Sequence, residues 1–270
     1  MKLLSRSYMW IVFALLYAPI LVLVIFSFND GGSLSSFTGI SFRWYVELFH
    51  DSVALQSLKN SLFLALSSSA IATVIATFAA LGLDRMRNRY VKGTIMGATN
   101  IPMMNPDIVT GVSMMLLFVA LGGILGLSDL LGRWTMLIAH VTFTLPYVLL
   151  SVLPRFQQFD STLREAAMDL GCTPTASFFK VELPAIIPGI VSGFVMGFTL
   201  SLDDFVISHF VSSPDFQTLP LYIYNQTAHN VKYSMYALCA LIIVTILVLL
   251  LAVNFAGSIG RGKRRREVTK

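Results

Sequence analysis

Six stretches of the chain are almost unbroken runs of apolar residues: 10–28, 61–83, 95–121, 134–152, 185–211 and 236–256. Each is close to the roughly 20 residues that an α-helix needs to cross the hydrocarbon of a bilayer. The alternating ten-residue segments of a membrane barrel are absent. Open sheets are excluded as well, because their backbone groups find no partners in lipid. The pattern predicts an all-α integral membrane protein, residues 1–270 forming one domain of six transmembrane helices. The third stretch contains Pro102 and Pro106, so it should be kinked or broken near its middle. Backbone groups freed there need protein or water as partners, which predicts that this helix faces the bundle interior.

Composition agrees with the pattern. Of the 270 residues 56% are hydrophobic and 12% charged, whereas soluble domains carry about twice that charged share. The net charge of +5 acquires a meaning from its placement. With the N-terminus inside, every Lys and Arg except Arg43, Lys59, Arg133 and Lys232 falls on the cytoplasmic side. This is the bias that sets membrane topology; it predicts both termini inside and accounts for the positive charge without nucleic acid. Lys2 and Arg6 before an apolar run look like a signal peptide, but the run is long and no small-x-small cleavage site follows, so an uncleaved first helix is expected. The longest external connection, 29–60, contains the aromatic, amphipathic stretch 42–49, which predicts an interfacial helix. The other two external connections are 122–133 and 212–234.

Several motifs carry less than they suggest. Cys172 and Cys239 lie far apart, and His50, His140, His209 and His229 are scattered singly, so neither a disulfide framework nor a metal site is expected. No cofactor is expected either. Gly257 to Lys263 approaches a phosphate-binding loop, but Arg264 stands where Ser or Thr is needed, and an apolar run precedes it where a strand is required. The basic run 261–266 reads as an anchor at anionic headgroups. Gly189, Gly193 and Gly197 recur every four residues, a row that lets two helices approach closely, either within this chain or against a partner subunit.

The most informative polar stretch is 165–184, within a cytoplasmic connection spanning 155–184. Thr162 and Glu165 have capping-box spacing. Leu163, Ala166, Ala167 and Leu170 form one apolar face. Gly171 can end that helix in the left-handed conformation, and Thr173 with Pro174 can open a second running to about residue 182, after which Leu183-Pro184 turns back into the membrane. Glu165-Ala166-Ala167, then Gly171, then Leu183-Pro184 resembles the EAA motif of bacterial ABC importer permeases. The resemblance implies a type I ABC importer permease fold. It also implies that this helix-Gly-helix loop, with Glu165, Ala166, Ala167, Asp169, Gly171, Leu183 and Pro184, couples the chain to a cytoplasmic ATPase. Hydrolysis of ATP would then belong to that partner and not to this chain.

Three acidic residues, Asp107, Asp203 and Asp204, lie inside the apolar stretches, and no Lys or Arg does. Carboxylates in a membrane are costly and face a cavity or a partner. A passing cation is one way to offset their charge; protonation, a cation from a partner subunit and shallow placement are others. Aromatic faces suit cationic amines, and Phe143, Tyr147, Phe198, Phe205 and Tyr222 are the candidates.

Tyr17-Ala18-Pro19-Ile20, Arg43-Trp44-Tyr45, Pro106-Asp107-Ile108-Val109, His140-Val141-Thr142-Phe143 and Ser201 to Val206 further resemble the permeases of spermidine/putrescine importers, their C-type subunits above all. That resemblance implies a polyamine importer of the bacterial inner membrane. Its expected partners are a second permease subunit, two ATPase subunits and an extracytoplasmic binding protein. Related importers of ferric iron or of sulfate-like anions share the EAA loop and remain alternatives. A stand-alone secondary transporter would carry its own coupling-ion site and often shows inverted repeats; none is visible. A membrane enzyme would need a convergent His/Cys/Asp cluster, and the sequence offers none.

Overall fold

The computed structural model describes residues 2–31, 36–126, 130–229, 233–245 and 247. These residues are mainly helical and form no strand, only two isolated bridges, Asn29 with Ile40 and Ser213 with Phe216. In chain order the helices are α1 (Lys2–Phe26), α2 (Arg43–His50), α3 (Ser52–Arg85), α4 (Arg89–Met104), α5 (Asp107–Leu125), α6 (Arg133–Gln157), α7 (Ser161–Asp169) and α8 (Pro174–Ser177). A π-helical segment (Phe178–Glu182) follows, then α9 (Leu183–Asp203), α10 (Val206–Val211) and α11 (Leu219–His229). A further helix, α12, begins at Ser234 and is described to Thr245. Among the described residues five spans are long and apolar enough to cross a membrane: Arg6–Phe26, Ser52–Arg85, Asp107–Leu125, Arg133–Gln157 and Pro174–Asp203. The rest of the sixth expected stretch, the Gly257–Lys263 motif and the basic run 261–266 lie outside the described residues.

The chain divides into two compact units, Met1–Leu55 with Ile223–Lys270, and Gln56–Tyr222. In the first, the turn after α1 is tied to α2. The Trp44 indole N–H donates to the Asn29 carbonyl at 2.6 Å, and Ser27 Oγ lies 2.8 Å from the Tyr45 hydroxyl. Trp44 also packs on Tyr233, with ring centroids 5.2 Å apart. The aromatic stretch expected as an interfacial helix is thus helical, one residue later than predicted.

In the second unit α6 is the central element. Its side chains Val148, Leu149 and Val152 meet Ala72, Ala76 and Ala80 of α3 and Ile186 of α9 in one buried cluster. Met136, Ala139 and Phe143 meet Leu64 of α3, Phe118 of α5, and Ile207 and Val211 of α10 in another. The alanines recur every four residues, one turn apart along α3. The Gly189-Gly193-Gly197 row faces the same chain: a Cβ on Gly193 would lie 3.0 Å from Val148 Cγ1, and one on Gly197 3.0 Å from Val148 Cγ2 and 3.5 Å from Ser69 Cβ. Of the two readings of that row, packing within the chain is the one observed.

Three expectations need correction. The third stretch does break, between α4 and α5 at Asn105-Pro106, as its prolines foretell. But α4 fully buries none of its side chains and touches the core only through the half-buried Met96, whereas α5 buries Gly111, Phe118 and Gly122. The stretch 185–211 is not one helix. It ends at Asp203, and Asp204 adopts an extended backbone (φ −66°, ψ 122°) before α10 begins. Finally, Leu183-Pro184 makes no turn. The chain runs helically from Pro174 to Asp203, and a π turn precedes Pro184, with the Leu183 N–H bonded to the Phe178 carbonyl. Proline lacks an N–H and crowds the carbonyl four residues back. A π turn is the local register change that accommodates such an interruption without a corner.

Replacement of Gly193 by Leu is expected to separate α9 from α6 and to destabilise the protein by about 1–3 kcal/mol through overpacking. Gly97→Ala, where a Cβ meets nothing within 4 Å, is expected to be neutral. Thermal unfolding of the two variants in detergent checks the contrast.

Candidate functional sites: the elbow and the broken helix

The elbow is built from local signals. Asp160 caps α7: its carboxylate accepts from the Thr162 N–H at 3.0 Å and from the Thr162 hydroxyl at 2.8 Å. The capping box expected from Thr162 and Glu165 is therefore not formed, because the cap falls two residues earlier, at Asp160, and the helix starts at Ser161. These two hydrogen bonds favour the ionised form and hold the Asp160 carboxyl below its ordinary value. Gly171 (φ 90°) ends α7. Its N–H bonds to the Met168 carbonyl at 2.9 Å, and the Cys172 N–H to the Ala167 carbonyl at 3.0 Å, which together make a Schellman motif. Thr173 then caps α8 by accepting from the Ala176 N–H, with Pro174 in the first turn.

This geometry leaves Glu165, Ala166, Asp169 and Gly171 exposed, Ala167 and Leu183 half-buried, and Pro184 exposed. Leu163 and Leu170, 53% and 87% exposed, present an apolar face uncovered among the described residues. Beneath the elbow is a residue that the sequence reading missed. Glu182 is 2% exposed; both its oxygens accept from Arg85 Nη2, at 2.9 and 3.0 Å, and Arg164 Nη1 stands 3.6 Å away. Its signal was available: an acidic residue directly before an apolar run, matched by Arg85 directly after another.

The membrane carboxylates divide. Asp107 is the first residue of α5, immediately beyond Pro106, and is exposed; Asp203 is the last residue of α9 and is also exposed. Both therefore flank a break in a membrane helix. Asp204 is buried. One carboxylate oxygen accepts from the Ile207 N–H at 3.2 Å, the other from the Ser208 N–H at 2.8 Å. No Lys or Arg is expected beside these carboxylates, and Asp204 is met instead by backbone: its side chain satisfies the first amides of α10. Phe205 is half-buried, with its ring 5.4 Å from that of His209. Tyr222 is buried. Phe143 and Tyr147 pack edge-on at 5.6 Å, and Phe198 stacks at 6.5 Å on Phe194.

His140, quoted from sequence only as part of a resemblance, proves to be the centre of a buried polar chain. Its Nδ1 is 2.7 Å from Ser201 Oγ, and its Nε2 is 3.2 Å from Ser208 Oγ and 3.5 Å from Asp204 Oδ2. The Ser68 hydroxyl donates to Ser201 Oγ at 2.9 Å. Every group is satisfied if Ser201 in turn donates to Nδ1 and the imidazole carries its hydrogen on Nε2, facing Asp204 and Ser208. The chain links α3, α6, α9 and α10 at the point where α9 ends. The described residues hold no His/Cys/Asp/Glu group suited to a metal ion.

Residues 72–264 match the family described as the binding-protein-dependent transport system inner membrane component. The chain is 41% identical over 232 residues to the putrescine transport system permease protein PotI of Escherichia coli K12, covering 86% of this chain and 82% of that one. It is 39% identical to the spermidine/putrescine transport system permease protein PotC of Haemophilus influenzae, over 91% of this chain and 93% of the relative. Against PotC of E. coli K12 the figures are 37%, 93% and 92%. In fold it resembles a chain of a bacterial ABC transporter involved in the import of the acidic polysaccharide alginate, with a TM-score of 0.72, 18% identity, and 96% and 95% of the two chains covered. The protein belongs to the family of inner membrane components of binding-protein-dependent transport systems: a multi-pass transport permease of the all-helical ABC importer type.

Removal of the imidazole in His140→Ala leaves Ser201 and Asp204 buried with unmet hydrogen-bonding capacity. It is expected to lower stability by about 1–3 kcal/mol, read as a drop in the unfolding midpoint in detergent. The Asp160 cap should be intact at neutral pH and be lost only as the pH falls through its lowered pKa, below the ordinary 3.8. The sign follows from linkage: a carboxyl held low stabilises the state in which it is ionised and stops doing so once protonated. Hydrogen exchange at Thr162 checks this, with Asp160→Ala expected to show fast exchange already at neutral pH.

Proposed function

We propose that this chain is one permease subunit of an ATP-driven importer that moves polyamines inward across the inner membrane by alternating access. The observation that carries the substrate is the 37–41% identity, over most of the chain, to permeases named for putrescine and spermidine transport. The exposed carboxylates Asp107 and Asp203 at two helix breaks fit a cationic cargo, whose spaced amines suit spaced carboxylates and ring faces. In this reading Asp203 and Asp107 meet the cation. Asp204 contributes by fixing the end of α9, and Phe205 and Tyr222 line the same outer region.

The whole chain, 1–270, acts as one permease domain with both termini cytoplasmic, as the distribution of Lys and Arg favours. It pairs with a second permease subunit and with two ATPase subunits that hydrolyse the ATP, and it receives cargo from an extracytoplasmic binding protein. The elbow is the docking element toward the ATPases. Its uncovered Leu163 and Leu170, the small Ala166 between them and the exposed Glu165 and Asp169 give a partner an apolar contact with a charged rim.

Reconstitution of the complete complex in vesicles tests both parts. Glu165→Lys is expected to release the ATPase subunits and abolish ATP-driven uptake; retention of both would overturn the docking role. Asp203→Asn with Asp107→Asn is expected to reduce uptake of labelled putrescine and spermidine about tenfold or more, the scale of losing one charge-assisted contact. Asp203→Asn with Asp204→Asn should in addition lower the unfolding midpoint. Normal uptake in both doubles would overturn the cation path.

A further inference from the structure

We propose that Glu182 is the joint through which displacement of the elbow helix α7 reaches the membrane helices, and so a positioning residue for transport. The inference rests on the docking role proposed above for the elbow and adds the route inward from it.

The covalent route is a poor transmitter. Between α7 and α8 the chain passes through Leu170 to Thr173, with Gly171 in the left-handed region. A glycine there has the widest backbone freedom of any residue, so a push on α7 is absorbed by rotation at Gly171 unless something else ties α7 down. The tie is at Glu182. Arg164 belongs to α7, Arg85 is the last residue of α3, and Glu182 lies in the π segment of the helical run that continues into α9. One carboxylate thus joins three elements, with Arg85 on both of its oxygens and Arg164 3.6 Å from Oε1. The Ser177 hydroxyl adds a 3.4 Å bond to the Arg164 carbonyl.

The chemistry suits a strut. Guanidinium donors hold a carboxylate in fixed geometry, where an ammonium would give a point contact. The carboxylate is 2% exposed, so if either arginine withdrew it would be left buried and under-compensated, which is strongly unfavourable. The three elements therefore favour moving together. Arg85 is 40% exposed, so it can be replaced without burying an empty space, and Glu182 then keeps Arg164.

The test uses the complete complex in vesicles, with labelled putrescine as probe. ATPase association, ATP hydrolysis and uptake are measured for Glu182→Gln, Arg85→Gln, Arg164→Gln, Glu182→Asp and the Glu182→Gln/Arg85→Gln double. Each Gln variant is expected to keep its ATPase subunits but to lose about tenfold in uptake per ATP hydrolysed, the size of a typical coupling between sites. The double should be no worse than Glu182→Gln alone, because both break one joint, and Glu182→Asp should recover part of the loss. An ion pair that only supports the fold would lower stability and leave uptake per ATP unchanged. An unchanged ratio in Arg85→Gln and Glu182→Gln overturns the inference, as does loss of ATPase association in them. Should Glu182→Gln fail to assemble, Arg85→Gln decides alone. The docking role fails separately, if Glu165→Lys keeps both association and uptake.

Discussion

A helix that breaks inside a membrane releases amide groups which find no water, and each must be given a partner by the protein. Much of the second unit is arranged around that requirement at one place. Asp204 ends α9 and takes up the first amides of α10. A buried carboxylate is itself expensive, and the neighbouring histidine and serines surround it with polar groups. Those groups come from α3, α6, α9 and α10, so the solution to a local backbone problem also fixes four helices relative to one another. Asp203, one residue earlier, stays exposed. Adjacent identical residues thus have opposite environments because one of them is needed by the backbone.

Close packing does the rest. The small faces of α3 and α9 both turn to α6, and in lipid such close approach replaces the hydrophobic drive that water supplies to soluble proteins. Polar side chains can then be carried in the core because the backbones are near enough for short hydroxyls to reach. The Ser68 hydroxyl of α3 reaches Ser201 of α9 at 2.9 Å in this way.

Much of this was legible in the sequence, since length and apolarity suffice to place helices in a bilayer. The apolar runs, the break at Asn105-Pro106, the left-handed Gly171 and the Thr173-Pro174 start all depend on neighbours in the chain. What sequence reading missed depends on distant ones. The pairing of Glu182 with Arg85, 97 positions earlier, is signalled only by their matching places at the ends of two apolar runs and by nothing local to either. Nothing near His140 points to Ser201. The end of α9 at Asp203 was hidden by an apolar run that continues past it, and the absence of a corner at Leu183-Pro184 by the rarity of π turns. At α7 a residue of the right type two positions before the expected box, Asp160, took the capping role from Thr162.

The continuity of the chain from Pro174 to Asp203 has a mechanical consequence. Thirty residues of helix at about 1.5 Å each make a rod about 45 Å long. It passes Pro184 and Pro188 without ending, and has Gly171 just before one end and the Asp203 carboxylate at the other. A tilt of only about 10° about the Gly171 end of a rod that long moves the far end by about 8 Å, more than the breadth of an extended alkyl-amine chain. The exposed elbow and the exposed Asp203 thus lie at opposite ends of one helical run, and the π turn is what carries that run past Pro184 without a corner.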